Sequence, residues 1–257
     1  MRRRRSSRFR APDWFGPAGK KEIANAIRGL WSEDAEVRSE AVGTLQERLW
    51  HQGTVFEVTA PAVPFVADAA LGDVVSRDDR IWLVALLAWI ASGSSYHDSQ
   101  RGFFESRGLH VAEEVVEREL GWVRDAHEAV RRRLPEFLRR LDDERDPSVQ
   151  VVLSLLAAQF PEDAEAAVPH IRPLFEAEHA DPRRLVLELA LAALGARVDP
   201  EDLLRRLPED YYDAEDVDAL RQRLAAAVDA REVYRDILDN VVGVAIEVGA
   251  AADRAGG

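Results

Sequence analysis

No cysteine occurs among the 257 residues, so disulfides, zinc–thiolate centres, iron–sulfur clusters and thiol catalysis are excluded. A cysteine-free chain fits a reducing compartment, and a cytoplasmic protein is expected. No apolar run approaches the roughly 18 residues of a membrane-spanning helix; the longest, Ile81 to Ala91, is far shorter. Lysine is nearly missing too, since Lys20 and Lys21 are the only two among 34 basic residues. With so much Ala, Val, Leu and Arg, this points to a high-GC bacterial source, a statement about codons rather than physics.

What the chain has in excess is acid, for a formal net charge of −13. The opening MRRRRSSRFR holds six arginines and no carboxylate; beyond it 28 basic residues face 47 acidic ones, a charge of −19. Such a body repels nucleic acid, which is held by clustered Lys and Arg. It favours a basic protein or peptide as partner. Residues 1–20 are expected to be a flexible basic tail, the one hint of an anchor for nucleic acid or an anionic surface. A secretory signal would need an apolar stretch after the arginines, and only APDWFGPAG follows.

Beyond residue 20 nearly every segment has helical spacing. In DAEVRSEAVGTLQERLW, Val37, Ala41, Leu45 and Leu49 share one face, with Ser32 or Asp34 as the cap and Gly53 as the stop. DDRIWLVALLAWIAS is apolar all round from Ile81 to Ala91, so it predicts a helix covered on most sides. Two motifs then alternate. An aspartate opens a helix at Asp34, Asp78, Asp146 and, more weakly, Asp181, with Pro147 and Pro182 as first helical residues. An aliphatic-proline step recurs at Pro64, Pro135 and Pro169 and reads as the start of a second helix.

DAEVRSEAVGTL…APAVPFVADAALGD, read with these echoes, resembles a HEAT repeat of the bacterial PBS-lyase-like type. The match is good over 32–72, fair over 144–179 and weak over 78–141 and 181–207. The resemblance implies an all-α fold: a right-handed α-solenoid of about four antiparallel helix pairs over residues 21–257, with terminal capping helices. The ends would be capped by the segment to about Arg28 and by the stretch from Val233. The second repeat is too long, and its surplus, SGSSYHDSQRGFFESRGLH from Ser92 to His110, reads as a polar insertion before a charged helix running to about Arg133.

Two enzyme types share the HEAT-like fold. The di-iron hydroxylase type needs several His-Glu pairs; here His127-Glu128 stands alone, as does the Glu176/His179 pair, and both histidines read as solvated. The alkylpurine DNA glycosylase type needs a basic groove with a catalytic aspartate and nearby tryptophan. This chain has six tryptophans but an acidic body. The acidic run PEDYYDAEDVDAL lacks the glycine and spacing of a calcium loop. No metal site and no cofactor are expected.

The insertion gathers Tyr96, His97, Asp98 and Arg101 beside Ser92, Ser94 and Ser95. Serine, histidine and aspartate serve nucleophilic catalysis, but neighbours in a loop do not form a triad. The readings left open are a mobile solvated loop, a catalytic loop and a binding loop. WHQGTVFEV, with nothing to pair with, reads as a linker folding Val55 and Phe56 onto the core. The candidate binding residues are thus Trp50, Phe56, Trp89, Tyr96, His97, Asp98 and Arg101, on a non-catalytic protein-binding module. Neutralising or scaffolding a basic partner, as an immunity or antitoxin protein does, is the form expected, with a HEAT-like glycosylase as the alternative.

Overall fold

Cap chemistry sets where the helices start. A computed structural model describes residues 17–109, 111–179, 181–209 and 212–255, so the arginine-rich start, Trp14, His110 and part of the PEDYYDAEDVDAL run lie outside the described residues. The chain is mostly helical and divides into two compact units, Met1–Glu136 and Phe137–Gly257.

The first unit begins with α1 (Pro17–Gly29) packed on α2 (Ala35–Leu49). Asp34 caps α2, its Oδ1 accepting the Glu36 amide at 2.9 Å. Where a linker was expected there is a hairpin: β1 (Trp50–His51) pairs antiparallel with β2 (Thr54–Val55). Gln52 and Gly53, both at positive φ, make the two-residue turn that such pairing requires. The expected stop at Gly53 is this turn; α2 itself ends at Leu49.

α3 (Thr59–Leu71) starts five residues before Pro64, so Pro64 is inside the helix rather than at its start. The start is fixed instead by Thr59, whose hydroxyl donates to the Leu49 carbonyl at 2.7 Å and accepts the Phe56 amide at 3.0 Å. Pro61 occupies the first turn, where no amide is needed. In α4 (Arg77–Ala91) the cap is Ser76, which accepts the Asp79 amide, and Asp78 is a first-turn residue. α4 packs against α2, α3 and β1, and Leu83 to Ala88 are fully buried. Its one open side carries Trp82, which is 44% exposed. The expected insertion forms two short helices, α5 (Tyr96–Ser99) and α6 (Arg101–Ser106), ahead of α7 (Glu113–Arg131). α7 packs against α3 and α4, and His127, expected in solvent, places Nδ1 2.9 Å from the Ala91 carbonyl oxygen. The unit boundary falls within α8 (Leu134–Asp143).

The second unit holds α9 (Pro147–Ala158), α10 (Ala164–Ala177), α11 (Arg183–Ala193), α12 (Pro200–Arg205), α13 (Ala214–Ala226) and α14 (Ala230–Ala255). Asp146 caps α9 with Pro147 at its first position, as expected. Pro169 lies inside α10 together with Pro173. Pro182 is the residue before α11, joined to Asp181 by a cis peptide bond, and not its first residue. Asp213 and Asp216 form a capping box that starts α13, which gives the acidic run a structural use. α14 packs on α9, α11 and α13 and buries Ile237, Leu238, Val241 and Val242 against them.

Candidate functional site

The chain leaving α4 is stitched to the hairpin before it turns outward. The Ser94 amide donates to the Gly53 carbonyl at 2.7 Å, and the Val55 amide donates to the Ser94 carbonyl at 3.2 Å. The Ser94 hydroxyl adds a bond to Gly53 at 2.9 Å. This close approach depends on Gly93, where a Cβ would collide with Val55 Cγ1. Ser95 then caps α5 by accepting the Asp98 amide at 3.1 Å.

The segment is fastened to the protein by Glu119 of α7, a residue with no part in the sequence expectations. Glu119 is 8% exposed. Its Oε2 accepts the Ser95 hydroxyl at 2.8 Å and the His97 amide at 3.0 Å, and its Oε1 lies 2.6 Å from His97 Nδ1. Burial pushes the Glu119 carboxyl up, but the His97 amide, the Ser95 hydroxyl and the His97 ring together outweigh it and hold the group below its usual range. One signal was available: Val116, Ala126 and Val130 mark the buried stripe of α7, and Glu119 falls on that stripe at helical spacing. A carboxylate among buried apolar positions needs donors from elsewhere.

His97 is held on its other sides by aromatics, stacked on Phe104 at 5.5 Å and edge-on to Tyr96 at 5.2 Å. The segment also presents apolar surface, with Tyr96 49%, Phe103 50% and Leu109 53% exposed. The Arg107 guanidinium lies 4.6 Å over the Phe103 ring. Arg101 joins Asp98 at 3.2 Å and Glu113 at 3.4 Å. Among the described residues the exposed carboxylates of Glu105, Glu114 and Glu117 have no cationic partner.

The seven expected residues thus fall into linked groups. Tyr96 and His97 are in ring contact, and Asp98 pairs with Arg101. Trp50 stacks on Trp89 at 5.2 Å, with Trp82 6.3 Å further along. Phe56 is half-buried at the turn into α3. The hairpin carries Trp50 and is bonded to Ser94, so one backbone connection serves both groups. The serines do not make a nucleophile for His97. Ser92 bonds the Ala88 carbonyl, Ser94 the Gly53 carbonyl and Ser95 the Glu119 carboxylate.

A cleft of about 550 Å³ opens along one edge of the packed pair α3 and α7. Pro61 and Pro64 form one wall and Trp122, Asp125 and Arg132 the other, with Arg133 at the end. Arg133 bonds Asp68 at 2.9 Å, Glu136 at 2.8 Å and the Pro64 carbonyl at 3.3 Å. Arg132 pairs with Glu128 at 3.1 Å. Asp125 has no ion pair or side-chain hydrogen bond among the described residues. Within the described residues no group of three or more His, Asp or Glu could hold a metal ion, and no helix is long and apolar enough to cross a membrane. No family model, curated protein or solved structure matches this chain.

Proposed function

We propose that the chain is a non-catalytic protein-binding module of HEAT-like helix pairs whose partner is a basic protein or peptide. The observation that carries this reading is the segment from Ser94 to Leu109. It exposes Tyr96, Phe103 and Leu109 along with carboxylates that have no cationic partner among the described residues, and it is held in place by a buried carboxylate. Large aromatic side chains fixed before binding lose little entropy on association, and uncompensated acid favours a basic partner. Neutralising a basic toxin or scaffolding a basic protein are two uses of the same surface.

The test is a photo-crosslinking amino acid placed at Phe103 in cells that make this protein. A discrete adduct with a basic protein, weakened by salt, is the expected result. The reading is lost if Phe103 and other surface positions all fail to form an adduct while the purified protein turns over an alkylated duplex. That second reading, a HEAT-like alkylpurine DNA glycosylase, is favoured by one observation: Trp122 and Asp125 line the same cleft. Against it, the arginines at the end of α7 are engaged by Glu128, Glu136 and Asp68 rather than turned toward a phosphate backbone.

A further inference from the structure

The α3–α7 cleft has a chemistry of its own. Its volume lies within the ~300–1,000 Å³ of ligand clefts, and it stays open because its walls are short. Pro61, Pro64 and Ala129 put little bulk between the two helices. Its walls offer acceptors that the protein leaves open. Asp125 presents a carboxylate that nothing else engages among the described residues. Pro64 has no amide hydrogen, so the Ala60 carbonyl, on the same wall, lacks its usual helical donor. The cations of the lining are held by protein carboxylates, Arg132 by Glu128 and Arg133 by Glu136 and Asp68. Beside these acceptors stands Trp122, the aromatic ring best suited to a cation. A guanidinium of its own helix, Arg118, already approaches the ring to 5.7 Å.

A guest that matches must be flat, positively charged and rich in donors. We infer that this cleft seats an arginine side chain from an extended segment of the protein partner, its guanidinium stacked on Trp122 and hydrogen-bonded to Asp125. Lysine fits less well, because an ammonium has no flat face and donates to one point. A neutral guest leaves the Asp125 charge unanswered. The inference depends on the protein-binding reading only for the source of the arginine; the fit of the cleft to a guanidinium stands on its own residues.

An acetylated, amidated Ala-Arg-Ala peptide is the probe. The readout is the indole N–H signal of Trp122 in the nitrogen–proton spectrum of the whole protein, assigned among the six tryptophans by Trp122→Phe. Saturable movement of this signal is expected, with affinity falling about tenfold in Asp125→Asn, the loss typical of one charge-assisted pair. The lysine peptide should bind more weakly, and the citrulline peptide, of the same shape without charge, should not saturate. Equal titrations by arginine and citrulline peptides, or no effect of Asp125→Asn, would overturn the assignment. So would release of 7-methylguanine from a methylated duplex that Asp125→Asn abolishes, since the cleft would then belong to a base. The Phe103 adduct reads a different surface. A failed titration with that adduct intact removes the arginine site alone, whereas a failed titration with no adduct at any surface position and turnover of an alkylated duplex removes the protein-binding reading as well.

Discussion

Glu119 shows how one side chain can fasten a whole segment. A carboxylate leaves water only at a cost of several kcal/mol unless donors replace its hydration. Three donors, from Ser95 and His97, do so here. The same bonds order a polar stretch that has little apolar core to fold around. Glu119→Gln keeps the size but brings an NH₂ group up to donors, so one bond is lost and a donor faces a donor. Removing a charged partner of this kind costs roughly 2–3 kcal/mol. The expected outcome is a stability loss of about 2 kcal/mol in chemical denaturation, with hydrogen exchange sped up most at the His97 and Asp98 amides. Unchanged exchange there would show that the aromatic contacts of His97 and Phe104, and not the carboxylate, hold the segment.

Among the elements, what could be read from the sequence was local. The caps Asp34 and Asp146 follow from bonds made within a few residues, and the all-round apolar α4 follows from its own composition. Pro135 does stand in the first turn of α8, as expected, but Pro64 and Pro169 misled, because position in a helix depends on where the helix begins, and at α3 Thr59 sets that through the distant Leu49 carbonyl. Pro64, Pro169 and Pro173 are all exposed, so each lost helical bond falls on a face where solvent can reach the orphaned carbonyl. Nor was the hairpin legible, since its partners are only a few residues long and its third contact, Ser94, lies about forty residues on. The candidate residues were legible as types in a cluster; Glu119 showed only as a carboxylate on an apolar stripe and Gly93 not at all, because their meaning lies in what they meet. Gly93→Ala tests this at the element scale. The added methyl would press on Val55 Cγ1 and the Ile90 carbonyl, and overpacking of this kind costs about 1–3 kcal/mol. Loss of that size, with the Val55 amide newly exchangeable and α2 unaffected, is the expected result; a neutral substitution would mean the hairpin yields freely.

At the scale of the whole molecule, one buried and one half-buried carboxylate in separate units, Glu119 and Asp239, respond to pH in opposite directions. Asp239, on α14 of the second unit, accepts a hydrogen bond from Gln159 Nε2 at 3.2 Å. Burial pushes its carboxyl up from 3.8 to about 6, nearby Asp236 adds to this, and Gln159 and Arg235 only partly offset it. The folded unit therefore holds more protons than the unfolded chain between these two values. Its stability falls as pH rises from about 4 to about 6 and stays low above, a penalty of about 2–3 kcal/mol at neutral pH. Glu119 works the other way. Its carboxyl is held below the ordinary value of 4.5, so the stability it contributes is complete above that value and is lost as pH falls through the lower, folded one. Lowering the pH also reduces the self-repulsion of a chain with net charge −13, an effect weighted to the second unit, where 14 basic residues face 26 acidic ones, and it must be separated from the site effects. Asp239→Asn does that, because an amide oxygen still accepts from Gln159 without carrying charge. In this variant the second unit should gain about 2 kcal/mol at pH 7.5, read from hydrogen exchange in α9, α11 and α14 after correction for intrinsic rates. Its profile between pH 4 and 6 should flatten to the small slope left by net charge, while the first unit keeps its own. A slope in the second unit as steep as the unsubstituted protein's would place the titrating group elsewhere than Asp239.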